Sequence, residues 1–284
     1  MSLSPYVRGG KYLVSKVSVG ADLRTAIEKS VKLIGGFERV ISSGDTVTIK
    51  PNLNTADPFP ASSDPEFIKT LGKLILNAGA ARLQIMDSST LYDSTREVAT
   101  KVGLDQVAEE LGAQLTLLDE HEWVKVEIPK GVYLKSVRIG KPLLDMGKLV
   151  LAPCLKTHKF ASYTGAMKLF VGWVKPSDRL RMHARHLEEK VAEVASRFSP
   201  SLIVMDARKV FVTGGPASGE VREPGFVIAS GDPVSADVVG VRILQGYSAD
   251  NRLGRDVWQL SQIRHAVRIG LGARSDDEIG VVSG

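Results

Sequence analysis

The sequence alternates, for most of its length, between short β-branched segments and amphipathic segments with a helical period. Residues 11–19 (KYLVSKVSV) have strand composition, and residues 21–36 have a helical period that ends at two glycines. The same order recurs in the strand 45–51 and the next helix, for which Asp64 is the predicted N-cap and Pro65 the first residue. Strands that alternate with helices are typical of a mainly parallel sheet with helices on both faces. The sequence therefore predicts an α/β fold.

The remaining pattern continues this alternation without a long low-complexity linker. Further strands are predicted in RLQIMD, AQLTLLD, KLVLAP, SLIVMD and FVIAS, and a hairpin between residues 123 and 139. Further helices are predicted over 94–112 (as two short helices), 161–171, 180–198, from Asp232 onward, and over 256–268. We predict one α/β unit over residues 1–284; any division into two related lobes is predicted near 140–147.

A short sequence pattern occurs twice in the chain and is relevant to the possible division into two lobes. The pattern Pro-x-Leu-x-Thr follows a strand at residues 51–55 and again at 153–157. The next comparable strand ends in Met-Asp in both cases, at Asp87 and at Asp206. Duplication of one unit explains this order. Chance is the alternative, because the matched strings are short.

Composition limits the compartment and the class of ligand. Cys154 is the only cysteine, which excludes an internal disulfide and a cysteine-ligated iron–sulfur cluster. The first residues lack the features of a signal peptide, and no apolar run approaches the roughly 18 residues of a membrane span. These features predict a cytoplasmic protein without membrane contact. The net charge of +5 is interspersed and aromatic residues are only 6%, so nucleic-acid binding is disfavoured and a small anionic ligand is preferred.

Polar residues collect where the predicted strands end, and ligands of open α/β sheets lie beyond those ends. These residues are Lys50, Asn52, Asp87, Ser88, Ser89, Lys156, His158, Asp206 and Asp232. Lys156 and Lys168 are the strongest pair, since lysine binds phosphate or carboxylate and its pKa falls when it is buried near another cation. With a helix beginning near Thr164, Lys168 lies one turn into it, and the helix N-terminus assists anion binding. The alternative is that both lysines are solvated.

Three histidines raise the question of a metal site. On a helical wheel through 180–198, His183 lies at the edge of the apolar stripe and His186 well outside it. His183 is therefore predicted to face a cleft together with His158, and His186 to face solvent. No carboxylate is placed beside them by a motif, so the sequence leaves the metal open.

Two aspartates are assigned different roles. Asp232 precedes Pro233 and is predicted to be a helix N-cap. Asp237 shares a helical arc with Val234 and Val238, so its carboxylate is predicted to be buried and to need a partner. A pocket lysine or a bound cation is the expected partner.

Several motifs together resemble one known family. They are IKPNL, GDTVTIKP, LKTH, TGAMKLFVG, GGPASGE and ASGDPVSAD, in this order between about Lys11 and Gly246. This set resembles the widespread prokaryotic family called domain of unknown function 362. The resemblance implies a site at the matching motif positions, which are Lys50, Asn52, Lys156, Thr157, His158, Thr164, Lys168, His183, Asp206, Asp232 and Asp237. It brings no established reaction.

Two departures from the family pattern matter. Many members carry a ferredoxin-like segment that binds iron–sulfur clusters, and this chain lacks the cysteines for it. Members tend to have Lys-Asn where this chain has Lys168-Leu169. The architecture is also similar to the nucleotide-binding lobe of lactate racemase-type enzymes, whose catalytic motifs do not match here.

Two functions are compatible with these residues. The first is an enzyme that acts on a small anion, in which Lys156 and Lys168 hold the ligand and His158 or His183 acts as general acid or base. The second is a non-catalytic carrier for a small molecule or metal that uses the same lysines. No Walker A, dinucleotide, nucleophile-elbow or His-Glu-x-x-His motif is present to decide between them.

Overall fold

The computed structural model of the protein describes residues 4–284. Residues 1–3, which begin the segment for which no signal peptide is predicted, lie outside this range. The strands are β1 Val7–Arg8, β2 Lys11–Ser18, β3 Thr46–Lys50, β4 Arg82–Asp87, β5 Gln114–Leu117, β6 Trp123–Glu127, β7 Ser136–Gly140, β8 Lys148–Leu151, β9 Lys156–His158, β10 Ser162–Thr164, β11 Leu202–Ala207, β12 Val210–Phe211, β13 Val221–Arg222, β14 Phe226–Ser230 and β15 Ile279–Ser283. The helices are α1 Leu23–Ile34, α2 Pro65–Asn77, α3 Thr95–Lys101, α4 Leu104–Leu111, α5 Ala166–Leu169, α6 Pro176–Ala184, α7 Leu187–Ala195, α8 Pro233–Gln245 and α9 Ser261–Arg268.

Nine of the strands form one central sheet. Its order is β1-β2-β14-β11-β8-β3-β4-β5, and β15 pairs with β2. The strands β11, β8, β3, β4 and β5 are mutually parallel, while β14 is antiparallel to both of its neighbours. The predicted α/β fold with a mainly parallel sheet is confirmed. The predicted hairpin is formed by β6 and β7, outside the central sheet.

Alternation along the strands builds a separate core on each face of the sheet. In β8, Leu149 and Leu151 pack into the core that contains α5 to α9, while Val150 faces the core that contains α1 to α4. In β11, Ile203 and Val204 divide in the same way. Successive strand side chains point to opposite faces, so apolar runs of this kind are buried on both sides.

The strand order reverses between β3 and β8, and this reversal positions the site. The chain leaves β3 through α2 to reach β4 on one side, and it leaves β8 through α5 to α7 to reach β11 on the other. Because the two connections diverge across opposite faces, they leave a crevice at the carboxyl ends of β3 and β8. The duplication of one unit into two related halves stays a prediction.

Two predicted helices have different bounds. The predicted helix 180–198 is two helices, because His186 adopts a left-handed conformation with φ of 55° between α6 and α7. The wheel drawn through both segments is therefore wrong. Residues 161–171 contain β10 and then α5, which begins at Ala166 rather than near Thr164. The predicted N-cap Asp232 is confirmed, since its carboxylate accepts a hydrogen bond from the Ser235 N–H.

Within residues 4–284, none of the helices has both the length and the apolar character needed to cross a membrane.

Candidate functional site

A cavity of about 560 Å³ opens at the carboxyl ends of β3 and β4, in the crevice beside β8. Eight predicted site residues line it: Lys50, Asn52, Asp87, Lys156, His158, Thr164, Lys168 and His183. Its basic side chains are Lys50, Lys156, Lys159, Lys168 and Arg179, and its carboxylates are Asp87 and Asp93. Five basic groups against two acidic ones leave three positive charges in excess when all are ionised.

An ion pair joins the ends of β3 and β4 at one wall of the cavity. Lys50 Nζ is 2.5 Å from Asp87 Oδ1, and both residues are buried. Asp87 also accepts hydrogen bonds from the backbone N–H groups of Leu53 and Ser88. Burial lowers the pKa of Lys50 and raises that of Asp87, and their mutual attraction opposes both shifts. Asp87 is therefore the counter-charge for a cavity lysine.

Gly172 permits this ion pair to form. A Cβ at Gly172 would lie 2.7 Å from Asp87 Oδ1 and 3.0 Å from Lys50 Nζ. We expect Gly172→Ala to displace the pair and to lower the free energy of unfolding by about 1–3 kcal/mol, the usual cost of overpacking. Chemical denaturation measures this change. Gly254→Ala is the control, since a Cβ there meets nothing within 4 Å, and equal stability of the two variants would contradict the expectation.

Lys156 fixes the loop that follows β3. Its Nζ donates hydrogen bonds of 2.7 Å to the carbonyl oxygens of Pro60 and Ala61. Asn52 Nδ2 donates to the same Ala61 carbonyl at 2.9 Å. Burial lowers the pKa of Lys156 to about 8. Of the three N–H donors of its ammonium group, one remains for a ligand.

Lys168 differs from Lys50 and Lys156 in having no partner. Its side chain is partly buried against the cavity, and within residues 4–284 its Nζ makes no hydrogen bond or ion pair. Burial first, and then the charges of Lys156 and Arg179, lower the pKa of Lys168 to about 7. The group is therefore close to half protonated at neutral pH, with its donors directed to the cavity.

The two cavity histidines have opposite hydrogen-bonding roles. His158 Nδ1 accepts hydrogen bonds from the backbone N–H groups of Phe160 and Ala161, both at 3.1 Å, so its proton is on Nε2. His183 Nδ1 lies 2.7 Å from the carbonyl oxygen of Arg179, which can only accept, so its proton is on Nδ1 and Nε2 is a free base. Burial lowers the pKa of both rings and keeps them neutral. His158 is thus a hydrogen-bond donor through Nε2–H, its role as general acid or base stays a prediction, and His183 is the available base.

Strand register explains which side chains of β9 and β10 reach the cavity. Lys156 pairs with Thr164 across these two strands, and both line the cavity. Thr164 is only 4% exposed, and its Oγ1 has no hydrogen-bond partner in the described part of the chain. A buried hydroxyl without a partner is costly, so this atom is open to a ligand.

Thr157 lies outside the cavity lining, contrary to the prediction. It alternates with Lys156 and His158 along β9, and its hydroxyl donates to the Phe211 carbonyl oxygen at 3.2 Å. Successive residues of a strand cannot all face one side.

Asp206 is also outside the cavity lining, although in the repeated sequence pattern its strand, β11, corresponds to β4, which ends at Asp87. Its carboxylate accepts hydrogen bonds from the guanidinium of Arg208, at 3.0 Å from Nε and 2.7 Å from Nη2. Arg208 Nη2 also bonds Asp64 at 2.6 Å. The charge of the Asp206 carboxylate is therefore balanced within the protein by Arg208.

Asp237 is buried as predicted, but its partners are not lysines. Its carboxylate accepts from the N–H groups of Ala166 and Met167, at 2.5 and 3.2 Å, and from the Tyr163 hydroxyl at 3.2 Å. A Cβ at Gly165 would lie 2.2 Å from Asp237 Oδ1, so only glycine permits this approach. Burial raises the pKa of Asp237 to about 7. The Asp237 carboxylate occupies the N-terminus of α5. This helix end is therefore not available to a ligand, contrary to the prediction that it assists anion binding.

Arg179 is a cavity residue that sequence reasoning missed. Its guanidinium donates to the carbonyl oxygens of Val174, Ser89 and Gly172 and to the Ser88 hydroxyl. Burial lowers its pKa to about 10. It lies four residues before His183, on the same face of α6, and this spacing could have identified it.

The structure also bears on the metal question. His158 and His183 line the cavity, whereas His186 stacks on Tyr133 with ring centroids 4.2 Å apart. Across residues 4–284, no three His, Cys, Asp or Glu side chains are grouped so that they could hold a metal ion. His158 Nδ1 is already occupied by two N–H donors.

Comparison with known proteins identifies the family. The model of the family described as domain of unknown function (DUF362) matches residues 47–242. A thylakoid-associated protein of Synechocystis sp. is 28% identical over 242 residues, which are 80% of this chain and 70% of that protein. The lactate racemase apoprotein from Thermoanaerobacterium thermosaccharolyticum has a TM-score of 0.46 and 12% identity, and the match covers 84% of this chain and 58% of that one. Since the family match spans more than half of its residues, this chain belongs to the DUF362 family.

Proposed function

We propose that the cavity binds a small anionic ligand and that the protein is an enzyme that transfers a proton to or from this ligand. The observation that carries the proposal is the Lys168 ammonium, which has no partner within residues 4–284 and faces a cavity with an excess of basic groups. A partly buried cation is costly unless a counter-charge compensates it. An anionic ligand supplies that charge.

We assign three donors, all from residues that line the cavity, to the proposed anion. Lys168 contributes its ammonium, His158 its Nε2–H, and Thr164 its hydroxyl. Lys50 and Arg179 add positive potential, while their own donors bond to protein groups. This division lets the site hold an oxyanion with groups that are fixed before binding, which reduces the ordering cost of association.

The proton-transfer role rests on Lys168 and His183. Lys168 has a pKa of about 7, so it can give or accept a proton near neutral pH. His183 presents an unprotonated Nε2 because its Nδ1–H is held by the Arg179 carbonyl. In the proposed reaction, one of these groups removes a proton from the bound anion and the other returns one.

A carrier without catalysis is the second candidate. It is favoured by Lys156 and Arg179, because most of their N–H donors bond to the protein and so make the cavity wall rigid. Exchange of substrate hydrogen with deuterium from solvent would distinguish the enzyme, since a carrier leaves the bound molecule unchanged. We also propose a cytoplasmic location, which cell fractionation tests.

Removal of the Lys168 ammonium should weaken anion binding at least tenfold, a loss equivalent to about 1.4 kcal/mol. Calorimetric titration of Lys168→Ala with sulfate at pH 6.5 measures this. Lys148→Ala is the matched control, because Lys148 is an exposed lysine that begins β8 and so lies at the opposite edge of the sheet. If both variants bind sulfate as the parent does, the anion site is wrong.

A further inference from the structure

Large apolar side chains are exposed around the mouth of the same cavity. They are Leu91, Tyr92, Phe160 and Leu180, which are 40%, 86%, 57% and 51% exposed. They make up four of the nine large hydrophobic residues that are exposed within residues 4–284. Single exposed apolar residues are ordinary, but a cluster rimmed by polar groups marks an interaction site.

Three separate segments bring these side chains together. Leu91 and Tyr92 belong to the loop after β4, Phe160 to the turn between β9 and β10, and Leu180 to α6. Phe160 packs edge-on against His183 with ring centroids 6.3 Å apart. The apolar mouth therefore adjoins the polar groups directly.

The polar groups and the apolar groups of the cavity are segregated. Lys50, Lys156 and Thr164 are at most 4% exposed, so they lie deep, whereas the apolar side chains are at the surface. The unpartnered Thr164 Oγ1 and the free Lys168 ammonium mark the place for an oxyanion. A bare oxyanion would occupy a small part of 560 Å³, a volume within the range of about 300–1,000 Å³ typical of sites for larger organic ligands.

We propose that the ligand is an amphiphilic anion, a single small molecule with a phosphate or carboxylate head and an aliphatic or aromatic body. The head binds Lys168, His158 and Thr164, and the body contacts Leu91, Phe160 and Leu180. The inference rests on the proposed function, since it requires the anion site. It adds the class of molecule that the site accepts.

The test compares heads with and without an apolar body. Calorimetric titrations at pH 6.5 use inorganic phosphate, butyl phosphate, hexyl phosphate and phenyl phosphate. Each methylene that is buried at the mouth should tighten binding by about twofold to fourfold. Hexyl phosphate should therefore bind at least ten times more tightly than inorganic phosphate, and phenyl phosphate should also gain.

Variants of the mouth separate the two parts of the ligand. Leu180→Ser and Phe160→Ser should each remove most of the gain of hexyl phosphate over inorganic phosphate, while the affinity for inorganic phosphate stays unchanged. Leu144→Ser is the control, because Leu144 is 61% exposed but does not line the cavity. It should keep the full gain.

The outcomes distinguish this inference from the proposed function. Equal affinity for inorganic and hexyl phosphate, with both lost in Lys168→Ala, overturns the amphiphile and leaves the anion site standing. Unchanged affinity of Lys168→Ala for all four probes overturns the proposed function. Binding to phosphatidylglycerol vesicles, without any gain for hexyl phosphate, means that the mouth contacts a membrane and also overturns the inference.

Discussion

Asp87→Ala should lower the free energy of unfolding by about 3–5 kcal/mol, because it leaves a buried charge without its partner. Lys50 is only 1% exposed, and its ammonium is 2.5 Å from the Asp87 carboxylate. The same substitution also removes the acceptor for the N–H groups of Leu53 and Ser88. Urea denaturation at pH 7 measures the change.

Two controls separate the lost ion pair from general damage. Asp93→Ala removes an exposed carboxylate from the same cavity and should change stability by no more than about 0.5 kcal/mol. The double variant Lys50→Met with Asp87→Ala should regain part of the loss, since it no longer buries an unpaired charge. A single variant Asp87→Ala that is as stable as Asp93→Ala would refute the structural role of the pair.

The stability advantage of Asp237→Asn over the parent should grow as pH rises. The folded-state pKa of Asp237 is about 7, well above its ordinary value, so the folded protein binds this proton more tightly than the unfolded chain. The carboxyl therefore contributes most to stability below about pH 4, and this contribution falls between pH 4 and pH 7. Its total decline is up to roughly 4 kcal/mol, at about 1.4 kcal/mol per pKa unit.

Asparagine shows the effect because it stays neutral at every pH. Denaturation of parent and variant between pH 4.5 and 8 gives the difference directly, and it cancels the groups that titrate in both proteins. If Asp237 were instead paired with a lysine, its folded-state pKa would be depressed. Its contribution would then already be nearly complete at pH 4.5, and the stability difference between variant and parent would stay nearly constant up to pH 8.

The fold could be predicted because it depends on local patterns that repeat. The strands β8 and β11 are mainly apolar runs that are buried on both faces, and helices α2 and α8 begin at recognisable caps, Asp64 and Asp232. The carboxyl ends of parallel strands share one sheet edge, so Lys50 and Asp87 could be predicted to meet. Eight of the predicted site residues do line one cavity.

The errors come from partners that only tertiary structure supplies. Asp237 is buried as its helical arc indicates, but its partner is the start of α5, which the sequence places two residues too early. Asp206 has the same strand-end position as Asp87, yet it forms an ion pair with Arg208, two residues further along the chain. The helix is interrupted at His186, which adopts a left-handed conformation although it is not glycine. The sequence has no turn residue at this position that would predict the interruption.

The pH dependence of sulfate binding tests the central claim most directly. Sulfate does not titrate near neutral pH, so any change comes from the protein. Because Lys168 has a pKa of about 7, its charged fraction falls roughly tenfold between pH 6 and pH 8, and the affinity for sulfate should fall by the same factor.

Lys168→Arg provides the decisive comparison, because arginine stays charged throughout this range. Lys156, with a pKa of about 8, still loses about half of its charge by pH 8, which leaves at most about a twofold fall in the variant. Asp237→Asn should keep the full tenfold fall, since Asp237 lies outside the cavity lining. A fall of about tenfold in the parent that shrinks to at most about twofold in Lys168→Arg is the predicted result, and an affinity independent of pH in the parent would contradict the account.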